Sequence, residues 1–196
     1  MGQYYKPTFL NKTTDVTAND YNPIMFQLSP HTFDKGAKLM EHSYVGNPLV
    51  QAVENLLAKD NEGTPFVWAG DYADPYQGFT SNLYEMGDKE EEAKGLAELI
   101  TTSFKGILGM KCYKVDNPKA YKYIINHTKK LYVSVPQKIG AIHPLPLLTA
   151  ESNGLGGGDY YSKVGEKFVG AWKYDKISMG DEVPDGYEEL NVTFRE

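Results

Sequence analysis

Between Asn47 and Gly63 the chain repeats apolar residues at helical spacing, with Leu49, Val50, Val53, Leu56 and Leu57 on one face. Asn47 is a good N-cap, Pro48 suits the first helical position, and Asp60-Asn61-Glu62-Gly63 supplies the stop. A second helical stripe runs through Leu96, Leu99, Ile100, Phe104 and Ile107 or Leu108. Asp88 followed by Glu91 opens it as a capping-box-like start, and Gly106 and Gly109 fray its end. Asp34 is placed to cap a weaker helix over 35–44, which Gly36 interrupts.

Strand signals alternate with these. Gln3–Leu10 is rich in β-favouring residues, and Pro7 predicts an edge position or a bulge. A polar, proline-punctuated loop over 14–30 carries a short strand near 25–28, and Phe66–Ala69 reads as a buried strand. Tyr121–Ile125 and Leu131–Val135, joined by Asn126-His127-Thr128-Lys129-Lys130, form a hairpin signal. His143-Pro144-Leu145-Pro146 reads as a stiff extended segment. Phe168–Met179 reads as a strand, or two with a bend at Gly170, and Leu190–Phe194 as a last edge strand.

Three short matches recur in the same order. Phe9-Leu10-Asn11-Lys12-Thr13 resembles Ile124-Ile125-Asn126-His127-Thr128. Leu39-Met40 with Ser43 and Gly46-Asn47 loosely matches Leu147-Leu148 with Ser152 and Asn153-Gly154. Trp68-Ala69-Gly70-Asp71 matches Trp172-Lys173-Tyr174-Asp175. They predict one domain over 1–196, built of two pseudo-repeated halves at about 1–87 and 112–196 and joined by a helix over about 88–110. The elements do not alternate βαβα. The fold class is therefore α+β, a mixed or antiparallel sheet with two or three helices on one side.

Composition narrows the function classes. The 196 residues carry a formal net charge of −6 with no dense Lys/Arg run, which excludes sequence-independent nucleic-acid binding. One cysteine, Cys112, excludes an internal disulfide and any multi-cysteine zinc site. MGQYYKPTFL lacks a signal peptide's basic region and apolar run, and no segment approaches the ~20 apolar residues of a membrane span. The expected location is the cytoplasm. Fifteen tyrosines favour a surface that recognises flat ligands or protein partners.

Candidate chemistry gathers in two places. Asn153, Gly154, Gly156, Gly157, Gly158 and Asp159, followed by Tyr160, make a loop whose backbone N–H groups could converge on an anion. It matches no known phosphate-loop order, and a plain surface connector is the competing reading. Asp71 and Asp74 leave the Trp68 strand as an acidic turn. With Asp159 or Asp175 they could bind Mg²⁺ or activate water, and with His143 as a base they form the candidate catalytic set. Cys112 has no His placed near it and Ser152 lies in no GxSxG elbow, so neither is favoured as a nucleophile. Trp68 and Trp172 read first as core and second as stacking platforms. His31, His42, His127 and His143 have no metal-ligand spacing, so no metal site is expected.

MGQYYK, KLMEHSYVGN, FVWAGDYAD, HPLPLLTAESNG with GGGDY, and VGAWKYDKI together resemble a protein family scattered through bacterial and bacteriophage genomes. The resemblance spans most of the chain and brings no established activity, so it implies no catalytic residues. It implies Ala-Gly-Asp after the second tryptophan, and Lys173-Tyr174-Asp175 departs from that pattern. The expected function is that of a small acidic cytoplasmic binding protein of a phage or bacterium. It would recognise a protein or nucleotide-like ligand through Trp68, Asp71, the 153–160 loop, Trp172 and Asp175, with host-defence inhibition as the role a phage setting implies. The alternative is a metal-assisted hydrolase or transferase acting on a nucleotide or phosphoester, with Mg²⁺ as its cofactor.

Overall fold

The computed structural model of the chain describes residues 2–12, 22–33, 35–87, 100–105, 111–115, 119–154 and 156–195. Its centre is β3 (Thr64–Gly70), where Phe66 and Trp68 alternate with Val67 and Ala69 and all four are fully buried. Alternation sends the two pairs to opposite faces of the sheet, so β3 is covered on both. One face packs against α2 (Pro48–Leu57) and α4 (Pro144–Thr149), and the other against α3 (Leu83–Met86). The helices therefore occupy both sides of the sheet, not one.

The architecture is α+β. Seven strands form a mixed sheet, in the order β2 (Ile24–Gln27), β1 (Tyr5–Leu10), β3, β8 (Lys176–Gly180), β6 (Tyr123–Asn126), β7 (Leu131–Ser134) and β9 (Glu188–Glu189). All neighbours are antiparallel except β7 and β9. Residues 5–70 supply β1–β3, and residues 123–189 supply β6–β9. Only two residue pairs, Thr64 with Ile177 and Pro65 with Lys176, join β3 to β8. Farther along β3 a different segment takes over, as Trp68 bridges Ala150 in parallel and the Glu151 N–H donates to the Trp68 carbonyl at 2.9 Å.

Several local expectations hold. In α2, Leu49, Val50, Ala52, Val53 and Leu57 are fully buried, and Asn47 Oδ1 accepts the Leu49 N–H at 2.9 Å. The β6–β7 hairpin forms in the expected place.

Others are corrected. β1 is an interior strand despite Pro7, and its register shift against β2 falls at Phe9–Leu10 rather than at the proline. The Pro7 carbonyl accepts the Leu28 N–H at 3.0 Å just past the end of β2, so its missing donor faces the side where pairing has stopped. The helix expected from Asp88 falls partly on 88–99, outside the described residues. Farther on, Ile100–Lys105 is a strand (β4) paired with Lys111–Val115 (β5), in keeping with its β-branched Ile100-Thr101-Thr102 run. The helix expected over 35–44 shrinks to α1 (Leu39–His42), and its expected cap Asp34 lies outside the described residues. Phe168–Met179 is strand only from Lys176. Before that the chain turns, with Gly170 at φ 73° and Tyr174 at φ 68°, conformations a strand does not use. No strand forms over Leu190–Phe194. The extended reading of 143–146 also fails. His143 N-caps α4, and Pro144 and Pro146 fall in the first turn, where a missing N–H costs no helical bond.

Buried polar pairs tie the layers together. Trp68 Nε1–H donates to His42 Nε2 at 2.7 Å, while His42 Nδ1–H donates to the Gly36 carbonyl at 3.0 Å. Both ring nitrogens are thus committed in a neutral imidazole. Burial pushes the His42 pKa down to about 4, against a smaller upward pull from the Gly36 carbonyl and Glu41.

Candidate functional site

The start of the chain brings the acidic turn and the glycine loop together. Tyr4 and Asp71 exchange hydrogen bonds, Tyr4 N–H to Asp71 Oδ1 and Asp71 N–H to the Tyr4 carbonyl, both at 3.0 Å. On the other side Gly2 bridges Gly157, and Gln3 Oε1 accepts the Gly154 N–H at 3.3 Å. Residues 2–5 are therefore sandwiched between the 70–74 turn and the 151–160 loop. The close approach needs Gly70, where a Cβ would sit 2.6 Å from the Glu151 carbonyl oxygen. It also needs Gly156, where a Cβ would sit 2.9 Å from Gln3 Cβ.

The loop is held by its own side chains. Asn153 closes its ends, with Oδ1 accepting the Tyr160 N–H at 3.1 Å and Nδ2 donating to the Tyr160 carbonyl at 3.2 Å. Asp159 is buried. Its Oδ2 accepts the Gly156 N–H at 2.8 Å, and its Oδ1 accepts the Tyr5 hydroxyl at 2.7 Å. The Gly156 amide expected to help cradle an external anion is thus paired with the loop's own carboxylate. Burial, then the hydrogen bond to Asp159 and the charges of Asp159 and Asp71, keep the Tyr5 phenol protonated well above the ordinary tyrosine range. Tyr160 is buried too. Its hydroxyl donates to the Val164 carbonyl at 2.5 Å and accepts the Arg195 N–H at 2.9 Å.

The remaining candidates lie elsewhere. Trp68 and Trp172 are core residues, 0% and 1% exposed, so neither offers a face for stacking. Trp172 sits in the turns before β8, not at a strand end, and the two Trp-x-x-Asp segments differ in local structure. Asp175 turns toward the β6–β7 hairpin, accepting from Asn126 Nδ2 at 2.8 Å and pairing with Lys129 Nζ. His143 is 1% exposed. Its Nδ1 accepts the Leu145 N–H at 3.2 Å, so Nε2 carries the proton and donates to the buried Glu54 Oε1 at 3.1 Å. Both nitrogens are occupied away from solvent, and His143 is not placed to act as a general base. Among the described residues, no three His, Cys, Asp or Glu side chains are placed to hold one metal ion. The set Asp71, Asp74, Asp159 and His143 therefore makes no metal centre.

The residue missed in the sequence is Glu151. It directly follows the fully buried Pro144–Ala150 run, and a charged side chain ending such a run was the available signal. It is 7% exposed, and burial pushes its pKa up to about 7; Lys173 opposes the shift and Asp74 adds to it.

What the corner presents outward is aromatic. Tyr4, Tyr72 and Tyr161 are 44%, 47% and 56% exposed, and each is tied to the same place. Tyr4 and Tyr72 flank the Asp71 contact, and the Tyr161 hydroxyl donates to the Gly156 carbonyl at 2.9 Å. Among the described residues no helix is long and apolar enough to cross a membrane. No family model matches the chain, and no curated protein or solved structure is significantly similar to it.

Proposed function

We propose that the chain is a binding protein whose recognition surface is this corner, and that its partner is a protein. The reading rests on the exposed tyrosines Tyr4, Tyr72 and Tyr161, set around a loop and a turn that are fastened to each other. Tyrosine supplies a large contact area with few rotatable bonds, which suits an interface hot spot. A rigid base under such rings lowers the ordering cost of association. A nucleotide-like ligand fits less well, because the Gly156 amide is already taken by Asp159 and the acidic turn adds further negative charge to the same corner. The metal-assisted hydrolase has no converged ligand set among the described residues to support it. A cytoplasmic location, and inhibition of a host defence protein in a phage setting, are parts of the same proposal.

The test is affinity capture from bacterial lysate with the wild type and with a Tyr4→Ser/Tyr72→Ser/Tyr161→Ser variant of unchanged circular dichroism. A protein held by the wild type should bind the variant at least about tenfold more weakly, as for loss of a hot spot. Equal capture by both proteins would move the interface off this corner. A parallel thermal-shift panel of nucleotides covers the second ligand class. A ligand at a hundred times its Kd stabilises by about 2.7 kcal/mol. A nucleotide shift that Asp71→Asn abolishes would replace the protein partner with a nucleotide.

A further inference from the structure

Beside the exposed tyrosines lies a buried carboxylate whose hydrogen bonding is incomplete. Glu151 Oε1 accepts the Tyr174 hydroxyl, and Oε2 is buried with no hydrogen-bond partner. A buried acceptor left in this state costs roughly 1–3 kcal/mol. The residues that bound it are strained, since Ser152 and Tyr174 stand at φ 66° and φ 68°. Non-glycine residues held in the left-handed region cost of order 1–3 kcal/mol each and cluster at functional sites.

The surroundings match a cation. The Tyr76 ring packs on Tyr174 at 5.5 Å between centroids, and Lys173 Nζ lies 5.9 Å from the Tyr174 centroid. The Tyr174 hydroxyl is the hydrogen-bond donor to Glu151, and the charges felt by its carboxyl are those of Lys173, which favours the ionised form, and Asp74, which opposes it. An anion would meet repulsion from both acids, and a neutral group would leave that repulsion in place. A cation flanked by aromatic rings and carboxylates relieves it and gains cation–π attraction.

We propose that Glu151, Asp74 and the Tyr76–Tyr174 ring pair form a receptor for a cationic side chain, a lysine or arginine of the partner protein, and that Lys173 is the resident group it displaces. This rests on the corner being the recognition surface. Oε2 is shielded in the free protein, so an incoming cation reaches it only by displacing a neighbouring side chain. Lys173 is exposed, its ammonium lies over the Tyr174 ring, and its charge acts on Glu151 without a hydrogen bond to Oε2. A bound cation favours the ionised form of Glu151, so binding strengthens as pH rises through about 7 and weakens below it.

The experiment uses n-butylammonium as a lysine side-chain probe and n-butanol as its neutral counterpart, followed by NMR shifts of the Glu151 and Tyr174 amides. Butylammonium should give saturable shifts that butanol does not. Lys173→Ala should tighten binding severalfold, and Glu151→Gln should abolish it with the fold intact. Equal shifts from butanol, no gain from Lys173→Ala, or wild-type binding by Glu151→Gln would each overturn the receptor. If the probe fails while the tyrosine variant still loses a captured protein, only the cation site is wrong. If neither experiment responds, the corner itself is the wrong surface.

Discussion

Replacing Trp68 by alanine is expected to lower the unfolding free energy by about 3–5 kcal/mol, a large part of the stability of an ordinary domain. Trp68 is fully buried on the central strand, edge-on to Phe66 at 5.7 Å and nearly parallel to the His42 ring at 5.5 Å. Truncation leaves a cavity bounded by β3 and α1 that rigid neighbours cannot fill. It also leaves His42 Nε2 buried without its donor. Trp68→Phe separates the two effects, because most of the ring volume remains while the indole N–H is lost. That variant should lose about 1–3 kcal/mol, the cost of one buried orphan acceptor plus a smaller cavity. Urea unfolding followed by circular dichroism gives both values. A neutral Trp68→Phe would mean that the His42 bond contributes nothing net.

Acid should destabilise the protein through His42. Its pKa falls from 6.5 in the unfolded chain to about 4 in the folded one, so between those values only the unfolded chain binds the proton. The stabilising contribution is complete above pH 6.5 and is lost as pH falls to about 4, to the extent of about 3 kcal/mol. Glu151 acts in the opposite sense. Its pKa rises from 4.5 to about 7, so the folded state binds the extra proton and stability falls as pH rises through that window. With allowance for solvent screening this amounts to about 1–2 kcal/mol. The two slopes partly cancel near pH 5–6. Urea midpoints from pH 4 to 8 should show a shallow profile for the wild type and a steeper acid loss for Glu151→Gln. In His42→Gln only the decline toward high pH should remain. An unchanged profile for Glu151→Gln would show that this carboxyl does not titrate near neutrality.

What could be read in the chain was what its neighbours in sequence determine. The α2 helix carries its cap, its first-turn proline and its apolar stripe within a dozen or so residues, and the β6–β7 hairpin carries its own turn. The α4 helix was hidden because two prolines in seven residues look extended, although both fall where a helix tolerates them. The sequence joins the glycine loop to the acidic turn only through the candidate set of Asp71, Asp74 and Asp159. In the structure their meeting is made by Gln3, Tyr4 and Tyr5, which the sequence reading treated as a plain strand. The Tyr5–Asp159 bond spans 154 residues, and no local pattern announces such a pairing. Glu151 does carry a local mark, its place at the end of the apolar Pro144–Ala150 run, but its setting is made by distant residues. An acid beside Ser152 and Asn153 looks like loop polarity until Gly70 and Trp68, some eighty residues upstream, enclose it.

The two-pair junction between β3 and β8 bears on how the molecule opens. Strands β2, β1 and β3 are laced by long antiparallel ladders, as are β8, β6 and β7, yet these two blocks share only Thr64–Ile177 and Pro65–Lys176 as ladder pairs. Just beyond it Phe66 exchanges two backbone hydrogen bonds with Tyr174 and Asp175, and from Trp68 on the Ala150–Glu151 segment serves as the mortar, so the blocks can part there without either long ladder breaking. In native-state hydrogen exchange the Glu151 amide, bonded to the Trp68 carbonyl, should exchange through a lower-energy opening than the Ile124 and Phe9 amides on either side. A uniform exchange free energy across all three would mean that the sheet opens as one piece. If the seam opens first, the strained corner beside it can change shape while both halves of the sheet stay folded.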